Sequence, residues 1–470
     1  MRKFLLFFTL AGIFSCVEKE SEGATVYFSG EIVNPTNDFV VLFRDDMVVD
    51  SARLDENNRF SFQLDSIKQG LHHFDHSPQQ QYVYLEEGDS VVIRLNASPA
   101  YFDESLVFSG DNEEVNNFMI EMFLTYEDEE PLVYSYYRLS PQDFSDKIDS
   151  LRLQKLDELE QLSATSELSE AAYTMSKAAI DYHSFLYKEK YPFYHKKKTG
   201  KTIIHELDTA FYKHRRNLDL NNGELSFFRP YYDFVKHHFG NLSYTLCNSL
   251  CGMEEFATAK QQLHMNQHKI ALIDSLVTAP KLRDNLFRNV AMDYLLKVHS
   301  ANEECDSFIK KYEKLSKSEA HIEEIKHLYK GIQNLQPQRQ LPDLVVEDAD
   351  GKAVSLMEIA KGNTTVFYFW TSDQKRHFRN VTKHIEKLRK LHPHHQFVGI
   401  SLRTTRAEWL SLLEENKIPS ENQYRSTDFR ETQNALIVDG LSKCVISEDT
   451  LIVNAFANVF TSFPATASKE

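Results

Sequence analysis

The feature that most constrains the fold is an alternation of strand and helix patterns after Leu341. The runs "TTVFYFW" and "QFVGISL" are continuously apolar, as in strands that are buried on both faces. Between them, "KRHFRNVTKHIEKLRKL" predicts an amphipathic helix whose apolar face holds Phe378, Val381, Ile385 and Leu388. The closing runs "KCVIS" and "TLIVNAFAN" predict a hairpin around Glu448 and Asp449. Strand–helix alternation followed by an antiparallel pair predicts an α/β sandwich on a mixed sheet.

Smaller elements complete this C-terminal segment, which we place at residues 344–463. "LVVEDADGKAV" predicts a hairpin across Asp350-Gly351, and "LMEIAK" predicts a short helix. "RAEWLSLLEENK" and "RETQNALIV" predict two further helices, with the short extended segment "NQYRS" between them. The order of elements is therefore that of an α/β domain.

Residues 24–110 predict a small β-sandwich. Runs such as "ATVYFSGEIV", "RFSFQL" and "SVVIRLN" alternate or are apolar, and Asn, Asp, Gly and Pro separate them. We expect Asn57-Asn58 to turn one hairpin and Gly88-Asp89 to turn the next.

Residues 111–335 predict a helical domain, because apolar positions recur at intervals of three and four and charged residues are dense. In "DFSDKIDSLRLQKLDELEQL", Lys155 interrupts an apolar stripe that is otherwise continuous. "QPQRQLPD", residues 336–343, carries two prolines and is interpreted as a linker to the C-terminal domain.

The charge of the chain excludes one class of partner. The formal net charge is −16 over 470 residues. A protein that follows a phosphate backbone needs a basic face, so we expect no nucleic-acid partner.

The first residues predict an export signal. "MRKFLLFFTLAGIFSC" has a basic start and an apolar run too short to span a bilayer, which takes about 20 apolar residues. "IFSC" resembles the lipobox of bacterial lipoproteins, which implies a signal peptide at residues 1–15 and acylation of Cys16. Several acyl chains, at about 0.8 kcal/mol per buried CH₂, would make a stable anchor in a lipid bilayer. A secretory signal followed by an unmodified cysteine is the alternative.

The segment after Cys16 is an acidic tether, residues 16–23. Its "VEKESEG" resembles the export signal that sends some Gram-negative lipoproteins to the outside of the outer membrane. The implied location is the bacterial cell envelope, with the chain anchored by lipid in the outer membrane and exposed at its surface.

The C-terminal segment resembles a known family, the membrane-tethered thiol–disulfide oxidoreductases of the TlpA and ResA type, which have a thioredoxin-like fold. "LPDLVVEDADGKAVSL" is similar to their opening P-x-F-x-L-x-D-x-x-G-x-x-V-x-L, and "VFYFWTS" to their V-x-F-W-A-S. "CVISEDTLIV" stands where they have F-L-I-D-x-D-G-x-I-V. The resemblance implies a multidomain α+β protein: an N-terminal β-sandwich, a helical middle domain and a C-terminal thioredoxin-like α/β domain.

The sequence departs from this family at the redox motif W-C-x-x-C. The tryptophan falls on Asp373, the attacking cysteine on Gln374 and the resolving cysteine on His377. Exchange requires a thiolate as nucleophile, which neither Gln374 nor His377 supplies. The family's cis-proline should stand near Leu441 or Ser442, where the peptide bonds are expected to be trans.

Four further cysteines follow Cys16. Cys444 is a possible residual thiol, although a buried and unpaired side chain is favoured. Cys247 and Cys251 are four residues apart, and a disulfide within one helical turn is strained, so two buried thiols are favoured there. We expect no catalytic residue, no metal site and no cofactor.

These observations favour a cell-envelope lipoprotein with a degenerate thioredoxin-like domain, a non-redox binding or assembly module for an envelope protein or peptide. The alternative is a thiol–disulfide oxidoreductase of the TlpA and ResA family that acts through a non-standard cysteine such as Cys444.

Overall fold

The structure is a computed structural model that describes residues 24–65, 67–98, 101–200, 207–251 and 258–463. The predicted signal peptide, the acidic tether and Cys16 lie outside the described residues. The fold is mixed α/β and forms two compact units. The first comprises Met1–Leu218 and Glu224–His237, and the second comprises Asp219–Gly223 and His238–Glu470.

The first unit begins with eight strands in two four-stranded sheets. Their bounds are β1 Val26–Val33, β2 Phe39–Arg44, β3 Met47–Arg53, β4 Arg59–Leu64, β5 Gly70–His76, β6 Gln79–Leu85, β7 Ser90–Asn96 and β8 Val107–Gly110. One sheet has the order β4-β1-β7-β8 and the other β3-β2-β5-β6. Apolar side chains from both sheets, such as Phe28 and Phe74, pack in one core, as expected for a sandwich.

Neither predicted hairpin of this β region forms, and both expectations were wrong. The turn at Asn57-Asn58 joins β3 to β4, and the turn at Gly88-Asp89 joins β6 to β7, but each pair is divided between the two sheets. The alternating pattern of β4 is satisfied by β1 instead, with the rings of Phe28 and Phe62 stacked at 6.0 Å. A tight turn fixes the chain reversal but not the strand that pairs with the next one.

Helices complete the first unit and begin the second. Their bounds are α1 Glu113–Tyr136, α2 Pro141–Thr165, α3 Glu170–Thr199 and α4 Arg229–Cys251, with a short 3₁₀ helix at Lys213–Asn217 before α4. Ser140 and Ser169 cap α2 and α3 by accepting the amide protons of Asp143 and Ala172. Lys155, which interrupts the apolar stripe of α2, is buried, and its ammonium lies 2.6 Å from a carboxylate oxygen of Glu129.

The boundary between the two units lies within α4, at His237 and His238. The second unit continues with α5 Thr258–Leu276, α6 Pro280–Val298, α7 Glu303–Leu315 and α8 Glu319–Asn334. This grouping differs from the predicted division at 24–110, 111–335 and 344–463. That division into domains stays a prediction. No helix in the described ranges is long and apolar enough to cross a membrane.

The second unit ends in a seven-stranded sheet with the order β10-β9-β13-β12-β11-β14-β15. Its elements are β9 Val345–Glu347, β10 Ala353–Ser355, α9 Leu356–Ala360, β11 Thr364–Thr371, α10 Lys375–Leu391, β12 His395–Leu402, α11 Arg406–Glu415, β13 Gln423–Arg425, α12 Phe429–Leu436, β14 Lys443–Glu448 and β15 Leu451–Asn458. The central strand β11 is parallel to β12 and antiparallel to β14. The predicted α/β sandwich on a mixed sheet is confirmed, as are both of its predicted hairpins.

The predicted linker, residues 336–343, forms backbone hydrogen bonds with this sheet. The amide of Gln338 donates to the carbonyl of Ile452 at 2.8 Å, and the amide of Ile452 donates back to the carbonyl of Arg339 at 2.8 Å. The amide of Leu341 adds a bond of 2.9 Å to the carbonyl of Thr450. These bonds lie at the start of β15, which is one of the two edge strands of the sheet.

Candidate functional site

The candidate site lies where β11 ends and α10 begins. Gln374 is the N-cap residue of α10, with φ −95° and ψ 63°, and its side chain makes no capping hydrogen bond. Its carbonyl accepts the amide proton of Phe378 at 3.0 Å, which starts the helix. Asp373 and Gln374 are exposed, so both side chains face solvent.

His377 lies in the first turn of α10 and is half-buried. Its Nε2 atom donates to the carbonyl oxygen of Phe369 in β11 at 3.2 Å. Its ring meets the ring of Phe460 edge-on, with the centroids 6.1 Å apart. The imidazole is therefore held against the end of the strand by a backbone contact.

Trp370 lies beneath the start of the helix and is fully buried. Its ring packs against that of Phe378, with the centroids 4.6 Å apart. The two rings anchor the first turn of α10 to the sheet, so the residues before Phe378 keep a fixed position at the surface.

An open surface depression surrounds these residues. Its lining side chains come from the start of α10 and from the segment after β15: Asp373, Gln374, Lys375, Arg376, His377, Arg379, Asn380 and Phe460. Three of them are exposed cations and one is a carboxylate. The first amide groups of α10 add positive potential at the same end of the helix, so the depression favours anionic groups.

The loop before β14 contains Leu441 and Ser442, which the family resemblance places at a cis-proline position. Leu441 and Ser442 are half-buried, and their peptide bonds are trans, as expected. The carbonyl of Ser442 accepts the amide proton of Val459 at 2.8 Å. Since Phe460 follows Val459, this bond ties the loop to the segment that lines the depression.

Cys444 is fully buried in β14, opposite Tyr368 in β11 and Ala457 in β15. Burial raises the pKa of its thiol to about 12. At neutral pH the side chain is therefore a protonated thiol that a substrate does not reach. An exchange reaction needs an accessible thiolate.

Lys443 is a buried residue that the sequence analysis did not single out. Its ammonium nitrogen donates to the carbonyl oxygens of Leu436 and Ile437, each at 2.7 Å, and lies 4.2 Å from the ring centre of Phe456. Burial lowers the pKa of Lys443 to about 7. These two bonds join the end of α12 to the first residue of β14. The only indication of this role in the sequence was a lysine directly before the apolar run of the strand.

A second group of reactive side chains lies in the same unit, on α4 and α5. His268 lies beside Cys247 and Cys251, a contact that the sequence analysis missed. The spacing of the two cysteines placed them on one helical face, but nothing in the sequence showed which helix would face them.

The solved structures similar to this chain are thiol–disulfide oxidoreductases and related proteins. One, assigned as a thiol–disulfide oxidoreductase from Bacteroides vulgatus, is 22% identical over 27% of this chain and 92% of its own, with a TM-score of 0.25. A thiol:disulfide interchange protein from a Bacteroides species is 20% identical over 26% of this chain and 81% of its own, with a TM-score of 0.23. A secreted disulfide oxidoreductase from Mycobacterium tuberculosis is 17% identical over 25% of this chain and 83% of its own, with a TM-score of 0.21.

These similarities cover about a quarter of the chain. No protein-family model matches the sequence, and no curated protein matches it.

Proposed function

We propose that the protein is a lipid-anchored envelope protein whose thioredoxin-like C-terminal domain binds a partner and performs no thiol–disulfide exchange. The proposal rests on the start of α10, where Gln374 and His377 stand at the positions that the family resemblance assigns to the redox cysteines. The fold around these positions is intact, because Trp370 and Phe378 still anchor the helix to the sheet.

Chemistry separates this proposal from its alternative. An exchange reaction begins with a thiolate that attacks a disulfide at an accessible surface. An amide at position 374 and an imidazole at position 377 cannot form a mixed disulfide. The remaining thiol of the domain, that of Cys444, is fully buried and has a raised pKa, which weighs against the alternative of an oxidoreductase that acts through it.

The depression at the start of α10 supports a binding role. Lys375, Arg376 and Arg379 are exposed there, next to the aromatic ring of Phe460. Cations beside an aromatic surface suit an envelope protein or peptide that presents carboxylates and an apolar side chain. We propose that Cys16 carries the lipid that holds this surface at the membrane.

An insulin-reduction assay on the full chain tests the absence of exchange. We expect no turnover above the protein-free rate, and no change when Cys444→Ser is introduced. Turnover that Cys444→Ser abolishes would establish the oxidoreductase alternative.

Affinity capture from detergent-solubilised membranes tests the binding role. We expect one stoichiometric partner with the unaltered chain and its loss with Lys375→Glu, Arg376→Glu and Arg379→Glu combined. The matched control is Lys383→Glu, Lys387→Glu and Lys390→Glu, which changes the charge equally at exposed positions further along α10. Equal capture by both triple variants would show that the depression is not the binding surface.

A further inference from the structure

Cys247, Cys251 and His268 converge within the second unit. The two cysteines lie one helical turn apart on α4, and His268 lies on α5. The two sulfur atoms and one imidazole nitrogen all lie within 4.8 Å of one another. The Sγ atom of Cys251 is 3.2 Å from Nε2 of His268.

We propose that these three residues form a metal site for a thiophilic ion, with Zn²⁺ as the expected occupant. Thiolate and imidazole together are the ligand types that zinc prefers, whereas hard ions such as Mg²⁺ prefer oxygen. The inference goes beyond the proposed binding role and does not depend on it.

The distances suit a tetrahedral centre. Zn–S bonds of about 2.3 Å and Zn–N bonds of about 2.0–2.1 Å place neighbouring ligand atoms about 3.5–3.8 Å apart. The three donor atoms already lie within 4.8 Å of one another, so side-chain rotation is sufficient to bring them into this range. Cys251 and His268 would separate by a few tenths of an ångström from their present contact.

Binding of the ion is coupled to the release of protons from the thiols. Binding of Zn²⁺ to the two thiols releases two protons and gives a centre with no net charge, which reduces the cost of its burial.

A disulfide is the competing use of the two cysteines. Both are free thiols in the structure, and a bridge between positions four apart in one helix is strained. A metal ion bridges the same two sulfur atoms without requiring them to bond to each other.

Among the residues that the structure describes, the cluster supplies three ligands, and a tetrahedral zinc centre takes four. Cys247 is fully buried, whereas Cys251 and His268 are half-buried, so an ion reaches the cluster from the side of these two residues.

Metal titration of the full chain, stripped of metal and kept reduced, tests the proposal. We expect one Zn²⁺ per chain in a competition assay with a zinc-binding dye, and a thiolate-to-metal charge-transfer band when Co²⁺ replaces Zn²⁺. Cys247→Ser, Cys251→Ser and His268→Gln should each weaken Zn²⁺ binding at least about tenfold. The controls Cys305→Ser and Cys444→Ser remove buried thiols elsewhere and should leave binding unchanged.

A second measurement uses the unaltered chain, so its result does not depend on whether the variants fold. Zn²⁺, but not Mg²⁺, should slow alkylation of Cys251 by iodoacetamide, as followed by peptide mass spectrometry. Equal alkylation with and without Zn²⁺, or a Co²⁺ charge-transfer band that survives both cysteine substitutions, would overturn the site.

Discussion

Gln374 and His377 differ in how the start of α10 holds their side chains. Gln374 is an exposed N-cap residue, and His377 is held against β11 by its bond to Phe369. Neither residue belongs to the core cluster, which includes Trp370 and Phe378. We therefore expect the start of α10 to tolerate substitutions at both positions.

Introducing cysteines at both positions should create a redox-active pair. In Gln374→Cys combined with His377→Cys, the first thiol stands at the helix N-terminus, where the amide groups lower its pKa and favour the thiolate. We expect a disulfide in the oxidised protein and measurable insulin reduction with dithiothreitol.

The matched control for this variant is Asn380→Cys combined with Lys383→Cys. It has the same spacing at exposed positions on α10 but lies beyond the first turn, so it should show no insulin reduction. Equal activity of the two pairs would mean that the helix start has no special role.

His183 predicts acid sensitivity of the first unit. Its ring stacks on Tyr126 with the centroids 3.6 Å apart, and its Nε2 atom is hydrogen-bonded to the hydroxyl group of Tyr187 at 2.9 Å. Burial, and then the charge of Lys190, lower the pKa of His183 to about 3. Between pH 6.5 and 3 the unfolded histidine binds a proton that the folded one does not, so the free energy of unfolding falls as the pH falls.

The measurement is urea unfolding at pH 7 and pH 5. His183→Phe should reduce the loss of stability between these values by up to about 1.4 kcal/mol per pH unit. His394→Gln, at an exposed position, is the control and should follow the unaltered chain. An unchanged pH dependence in His183→Phe would assign the acid sensitivity to other groups.

Helices and strands show which patterns in this sequence determine structure locally. The amphipathic pattern predicted α10 at the bounds that the structure shows, because its apolar face packs on the sheet beneath it. The paired turns at Asn57-Asn58 and Gly88-Asp89 were assigned to hairpins that do not form, because strand pairing depends on residues distant in the chain. For the same reason the sequence could place Cys247 and Cys251 on one face but could not bring His268 to them.

Helix α11 offers a test of local capping. The Thr405 hydroxyl accepts the amide proton of Glu408, whose side chain in turn accepts the amide proton of Thr405. Thr405→Ala removes half of this capping box and should lower the free energy of unfolding by about 1 kcal/mol.

Ser411→Ala is the control for the capping box, because Ser411 is exposed on the same helix and bonds only within it. Chemical denaturation of both variants gives the comparison. A loss of stability as large in Ser411→Ala would show that the effect is not specific to the cap.

At the scale of the whole molecule, the sequence patterns predict which regions contain strands and which contain helices. They do not predict how these regions group into compact units. The boundary between the two compact units lies within α4, where the sequence has no break in its helical pattern. Compactness depends on contacts between helices, which periodicity alone does not specify.

The lipid anchor is a prediction about the whole chain, and it concerns a residue outside the described structure. If Cys16 is acylated, the mature protein should partition into the detergent phase of Triton X-114, and Cys16→Ala should move it to the aqueous phase. Cys305→Ser is the control and should stay in the detergent phase. Detergent partitioning that survives Cys16→Ala would exclude this anchor.

The bonds between Gln338–Leu341 and β15 have a consequence for the protein in concentrated solution. An edge strand usually exposes amides and carbonyls that can pair with another chain and start aggregation. Here the chain's own preceding segment occupies the first part of that edge, so an incoming strand would have to displace it first. The segment that joins the helices to the sheet thus limits the pairing of β15 with a strand of another molecule.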